Sequence, residues 1–327
     1  MISLQAATKS GQLIDYTPAL KTAELVTQRF DTPAKLSFNG IEDSGIAIPE
    51  GSAVKLTDNG TLVFAGYLFT ASRNRMGEVS YVAYDQLRYL KANASYSFVN
   101  LSLEQIITQI AGDFALTVGA LAPTGYIFPS LIKENESCLD IIFAALSEVI
   151  YRTGKIFVFY DDCGQLVLKE AKDLMQTGVI GDGSMMTDYE YKRDIDSQTY
   201  NRVKLAKPNK TTGRTDVYVH EDTSTIAQWG LLQYYDKVDE NLNEAQIDAL
   251  CAQYLKYYNR VLQTVTLESM GITGIRAGMI IPVLIEDVES LTFNRLLLAE
   301  KVTHTYEGSG YHTMSVEVKS FDQLGGG

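Results

Sequence analysis

The sequence predicts an α+β, β-rich protein in which β-dominated first and last thirds flank a middle third that contains helices. Three observations carry this. Short runs of alternating apolar and polar residues recur between turn residues over 1–89; two apolar stripes of helical period, each opened by a serine, fall within 90–198; and a third such helix interrupts strands over 199–327. With 327 residues, 46% of them hydrophobic, the chain is long enough for two or three domains and a substantial core.

In chain order, strands are predicted at 24–30, 34–38, 53–57, 61–70 and 77–84, separated by breakers such as Asn39-Gly40, Pro49-Glu50-Gly51 and Asn59-Gly60. Val54 and Leu56 alternate with Lys55 and Thr57, and Asp58-Asn59-Gly60 offers a hairpin turn into Leu62 and Phe64. Strands at this spacing indicate a small barrel or sandwich, closed by a short helix beginning near Asp85. Ser102 opens the next helix, with Leu103, Ile106, Ile107, Ile110, Ala111 and Phe114 as its stripe and Gln105 at the reciprocal capping position. Ser137 opens another, with Asp140 three residues on and Leu139, Ile142, Phe143 and Leu146 on its buried side. After Gly154, KIFVFY and QLVLKE flank Asp161 to Gly164 as a hairpin, so two helices against a small sheet form an α+β domain.

In the last third, Tyr200 to Leu205 reads as a strand, Pro208, Asn209 and Gly213 as a loop, and Val217 to His220 as a second strand. Ile247, Leu250, Cys251, Tyr254, Leu255 and Tyr258 make one stripe on a helix over 243–258, which Asn243 caps while Gln246 reaches back. Trp229, the only tryptophan, is expected to pack between this sheet and the helix. Tyr257 lies off the stripe and is the first candidate for touching a neighbouring subunit. With Tyr200 and Arg202 at the head of the strand, these residues are the candidate core or subunit-interface anchors. Further on, Leu296, Leu298, Val302 and His304 alternate on one strand, and His312, Met314, Val316 and Val318 on its return across the turn Glu307 to Gly310.

Composition narrows the function classes. Against 40 acidic residues stand 28 basic ones, a net charge of −12, which argues against a phosphate-binding surface as the main business of the chain. No apolar run approaches the ~20 residues that span a bilayer. The opening MISLQAATKSGQLIDY has neither a basic start nor an apolar signal core, so a soluble protein made in the cytoplasm is expected. Cys138, Cys163 and Cys251 form no C-x-x-C pair and read as reduced structural thiols.

The search for chemistry assigns no catalytic residue, no metal ligand and no cofactor. Of the three histidines, His304 and His312 approach across the last hairpin, but no further ligand lies at diagnostic spacing, and stacking on the inner face of a barrel is the favoured reading. Asp161 and Asp162, being adjacent, point to opposite faces and belong to a turn. Gly181-Asp182-Gly183-Ser184 lacks the Lys-Ser/Thr ending of a phosphate loop, and neither G-x-S-x-G nor H-E-x-x-H occurs. The run ending in Leu324 and three glycines leads us to expect any lytic activity on another polypeptide.

TYNRVKLAKPNK, WGLLQYYDKV and NEAQIDALCAQYLKYYNR occur in the same order as GYLFTASRN, YVAYDQLRYLKANASYSF, GKIFVFYDDCGQLVLKE and EKVTHTYEGSGYHTMSVEV do around them. From about Gly66 to Val318 they resemble the XkdQ-type hub proteins of contractile phage-tail baseplates, found in PBSX-like prophages and tail-like bacteriocins. The resemblance implies two similar tube-type β-barrel domains, 1–89 and 199–327, separated by the α+β domain 90–198. It implies a homotrimer whose six barrels meet a six-fold tail tube or tube initiator on one side and a three-fold central spike on the other, with baseplate wedge proteins around it. Its place would be the baseplate of a virion or tail-like particle. DNA would meet it only in passage, where an acidic inner wall would repel the phosphate backbone. A peptidoglycan hydrolase of the tail tip lacks an acid/base constellation here, and a secretion-system spike base would be supported by a fused β-helix; these are the alternatives.

Overall fold

The structure, a computed structural model, describes residues 1–41, 47–209, 213–238, 240, 242–288 and 291–320. The closing glycines, on which the expectation about lytic activity rests, lie outside them. The chain divides into two compact units, one made of Met1–Glu190 and the strands from Val265 onward, the other of Tyr191–Thr264.

In the first unit, alternation sets which face is buried. Ile2, Leu4 and Ala6 point inward from the strand Ile2–Ala7, and Val54 and Leu56 from Ala53–Asp58, with which it pairs antiparallel. Asn59 and Gly60, at φ 48° and 81°, supply the two left-handed residues that a tight hairpin turn into Thr61–Arg73 requires. Leu20–Gln28, Lys35–Ile41 and Glu78–Tyr84 complete this array, over a core centred on Tyr16, whose ring meets Phe38 and Tyr81 edge-on, each at 5.5 Å.

These strands do not form a separate barrel. They belong to a 13-stranded sheet that also contains Leu262–Met270, Ile280–Val288, Leu291–Glu307 and His312–Ser320, and among the described residues no sheet closes on itself. The junction is the 17-residue strand Leu291–Glu307. One of its edges pairs with His312–Ser320. The other is divided: the first half takes Ile280–Val288, the second takes Leu20–Gln28, with His304 opposite Leu25. Three backbone edges thus meet on one strand, which joins the first and last thirds through hydrogen bonds that sequence periodicity, a local signal, does not report.

The middle third has its own core. Helices α1 (Leu103–Asp113) and α2 (Cys138–Thr153) bury Ile106, Ile107, Ile110, Leu139, Ile142 and Phe143 against the strand pair Asn93–Ser102 and Ile127–Ser137 and the three-stranded sheet of Phe157–Asp161, Leu166–Glu170 and Val118–Leu121. The caps follow the sequence. Ser102 and Gln105 exchange reciprocal hydrogen bonds, the Asp140 N–H donates to Ser137 Oγ at 3.1 Å, and Gly154 ends α2 in the left-handed conformation.

Candidate interaction surface

The second unit holds the residues singled out as anchors. Arg202–Asn209 forms the centre of a three-stranded sheet, antiparallel to Arg214–Glu221 and parallel to Gln233–Lys237. A short helix, α3 (Thr223–Trp229), joins the last two, and α4 (Glu244–Tyr258) covers one face. Alternation sends Val203 and Leu205 toward α4, where they meet Ile247 and Cys251 in a small core ringed by Tyr218, Tyr234, Tyr254 and Leu255. Asn243 and Gln246 make the predicted capping box at 2.9 Å in both directions.

Beside that core lies an aromatic cluster. Tyr234 stacks on Tyr258 with centroids 5.0 Å apart, Tyr200 meets both rings, and Tyr257 sets its ring against Tyr258 at 4.9 Å. Arg260 places its guanidinium carbon 4.2 Å above Tyr257. Burial pushes the Tyr258 hydroxyl up to about 12, and burial with the nearby Asp236 carboxylate raises that of Tyr234 further, so both stay neutral donors. Tyr257 and Tyr200 remain half-buried, each with apolar ring and polar tip available. Arg202 is paired with Glu221 across the sheet, its Nε donating at 2.7 Å.

Trp229 departs from expectation. It ends α3 half-buried and is not among the residues that pack on the core between sheet and α4. The residue that ties α3 and the following loop to the sheet is Asn201, fully buried: its Nδ2 donates to the Gly230 carbonyl at 2.7 Å and its Oδ1 accepts from Leu232 N–H at 2.8 Å. A single asparagine near the start of a predicted strand carries no periodic signal, and the sequence does not single it out.

Two polar clusters lie inside the first unit. His304 and His312 do meet, Nδ1 to Nε2 at 2.9 Å, with the Tyr306 ring stacked 4.1 Å from His312. Burial holds His304 down to about 4 and also lowers His312. Nearby, a cavity of 230 Å³ is lined by Asp85, Asp161, Cys163, Arg276, His304 and Tyr306. Asp85 accepts backbone N–H groups from Ala34 and Leu87 at 2.9 and 3.0 Å. Arg276 lies over the Tyr160 ring at 3.5 Å and donates to the Asp161 carbonyl at 3.0 Å. Burial raises both carboxyls, with each other's charge adding to the effect on Asp85. Asp161 is buried and Asp162 exposed, as adjacent positions require. Gly181 to Ser184 is a turn in which Ser184 Oγ donates back to the Gly181 carbonyl at 2.7 Å. Among the described residues no group of three His, Cys, Asp or Glu side chains is placed to hold a metal ion.

Comparison with known proteins matches this arrangement. The family model described as YQBQ-like covers residues 23–319. Two proteins of Bacillus subtilis strain 168 align over 91% of this chain and 91% of their own length: YqbQ, 29% identical over 307 residues, and the phage-like element PBSX protein XkdQ, 28% identical over 306. Among solved structures, the 43 kDa tail protein of prophage MuSo2 from Shewanella oneidensis superposes with a TM-score of 0.73 at 15% identity, covering 99% of each chain. A chain of the Francisella PdpA–VgrG complex superposes at 0.55 and 11% identity, covering 98% of this chain and 57% of that one. The protein has the fold of a prophage tail protein and belongs to the YQBQ-like family.

Proposed function

We propose that this chain is a structural hub of a contractile-tail baseplate, a three-fold ring that joins a six-fold tube to a three-fold spike and carries no catalytic activity of its own. The observation that supports this most directly is a fold held in common, end to end, with a prophage tail protein. The β-rich thirds, 1–89 and 199–327, would supply two tube-type halves per protomer. The divided edge of Leu291–Glu307 favours this, since one strand serves the first-third array and the last-third array at once. Three protomers would then offer six quasi-equivalent surfaces to a tube ring. Half-buried Tyr257, with Arg260 over its ring, is the side chain we assign to a subunit contact, an amphipathic aromatic beside a cation being a frequent interface anchor. Spike, tube initiator and wedge proteins would be the partners, assembly would take place in the bacterial cytoplasm, and DNA would pass the ring without being held.

A second reading, the base of a secretion-system spike, is favoured by the likeness to a chain of a VgrG complex. Light scattering on the purified chain tests the trimer: three copies of 36.2 kDa give about 109 kDa. A species of that mass, lost in Tyr257→Ala, supports the assignment; a trimer unaffected by the change removes Tyr257 from the interface. Zymography on purified cell wall tests the non-enzymatic reading, and a clearing zone would overturn it.

A further inference from the structure

Hydrogen-bond bookkeeping around the two facing histidines limits how many protons they hold. His304 Nε2 lies 2.7 Å from the Ile275 carbonyl, which can only accept, so Nε2 carries the hydrogen. A neutral His304 therefore presents a lone pair at Nδ1, and His312 Nε2, at 2.9 Å, must donate to it. The Nδ1 atom of a neutral His312 then has no hydrogen. It sits 3.4 Å from Asp58 Oδ2, an oxygen that also accepts from the Thr273 hydroxyl at 2.5 Å. Two neutral rings fill the chain from Ile275 to His312. A third proton, on His312 Nδ1, would face the Asp58 carboxylate as an ion pair; a fourth, on His304 Nδ1, would set two N–H groups face to face at 2.9 Å.

We propose that His304, His312 and Asp58 form an acid-sensitive latch that holds the tip of the C-terminal hairpin against the end of the strand Ala53–Asp58 and the loop carrying Thr273 and Ile275. The latch is closed with both rings neutral and opens when both are protonated and the facing nitrogens each carry a hydrogen. Its surroundings favour this. His304 is 2% exposed and the His312 side chain 13%, so charge added to the rings has limited access to water. Tyr306 stacks on both rings and supplies no countercharge. The α-amino group of Met1, which donates to Asn59 Oδ1, bears on His312 as a like charge. Among the described residues Asp58 is the carboxylate against His312, and Asp85, Asp161, Asp162 and Arg276 share the cavity wall with His304. On the open side, Gly271 leaves the room that the His312 ring fills: a Cβ there would come within 2.1 Å of it. The ring is therefore packed between the Gly271 backbone and Tyr306.

The test uses the full chain and two readouts. Imidazole NMR resonances should report His304 and His312 neutral at pH 7 and protonating well below the ordinary imidazole value of about 6.5. Hydrogen exchange of amides in 304–312, corrected for intrinsic rates, should accelerate at least tenfold between pH 7 and pH 4.5. Asp58→Asn removes the countercharge without touching either ring and should move the opening to lower pH. His312→Gln should abolish the acceleration. Rings that protonate at the ordinary imidazole value of about 6.5, or an acceleration of equal size and midpoint in wild type, Asp58→Asn and His312→Gln, would overturn the latch.

Discussion

Replacing Arg29 by alanine probes the joint between the first and last thirds. The Arg29 guanidinium meets Glu300 at 2.8 Å through Nη2 and 2.9 Å through Nε, and the Arg29 N–H donates to the Glu300 carbonyl at 3.0 Å. The side chains are only 7% and 16% exposed, and the guanidinium carbon lies 4.1 Å above the Phe30 ring. Truncation leaves a carboxylate in a largely dry site. Breaking a buried pair by removing one partner costs about 3–5 kcal/mol, and the residual exposure of Glu300 places this case near the lower end, about 3 kcal/mol. That is a roughly hundredfold change in the folding equilibrium and, for a urea dependence of about 2–3 kcal/mol per molar, a midpoint lowered by roughly 1 M. Circular dichroism should follow it, because the sole tryptophan, Trp229, lies in the second unit and its fluorescence reports that unit instead. Glu300→Gln should cost a similar amount, whereas Arg29→Met with Glu300→Leu should return to within about 1 kcal/mol of wild type. The exposed pair Lys21–Glu78, at 44% and 47%, sets the scale for a surface contact, and its loss should move the midpoint little. An Arg29→Ala variant no more affected than Lys21→Ala would refute the reasoning.

Asn201→Ala removes the partner of the Gly230 carbonyl and the Leu232 N–H, both at the edge of the interior, and should destabilise the second unit by about 1–3 kcal/mol, read by Trp229 fluorescence during urea unfolding. Gly278 has φ 89°, and a Cβ there would lie 2.3 Å from Val158 Cγ1, so Gly278→Ala should cost about 2–5 kcal/mol by thermal melting; a neutral result would mean the Phe157–Asp161 strand can shift freely. Ser102→Ala removes one half of a capping box and should cost about 1 kcal/mol, with faster exchange confined to the first turn of α1. For pH, buried His304 and half-buried His312 are both depressed: the unfolded chain takes up protons near 6.5, while folded His304 waits until about 4. Their stabilisation is therefore complete above about pH 6.5 and is lost as pH falls, about 3 kcal/mol for His304 by pH 4. Asp85 and Asp161, raised in the fold, act with opposite sign. The contribution is thus read as the difference in denaturation midpoint between wild type and His304→Gln, which should shrink on acidification; a constant difference contradicts it.

What the sequence made legible was local. Ser102 with Gln105 and Asn243 with Gln246 announce helix starts because both partners sit three residues apart, and the structure contains both boxes. Asn59-Gly60 announces its hairpin because few other residue pairs adopt two left-handed conformations in succession. The pairing of Leu20–Gln28 with Leu291–Glu307 was not legible, since each strand's alternation records which face is buried and nothing about its neighbour. Arg29 and Glu300, 271 residues apart, were hidden for the same reason. The histidines fall between these cases. A symmetric hairpin brings them close, but His304 pairs with Met314 and His312 with Tyr306, so the rings meet on the diagonal, and only coordinates distinguish that contact from simple stacking. Trp229 was misplaced because α3 is a seven-residue helix without an apolar stripe, and a single large side chain does not say which surface it covers.

The hub assignment is tested most directly by locating this chain in an intact tail particle by cryo-electron microscopy. The account predicts three copies at the junction of tube and spike, with the Tyr257 face of each protomer against the next. Density along the sheath or at the tail periphery, or copies in a six-fold ring with no three-fold contact, would contradict it.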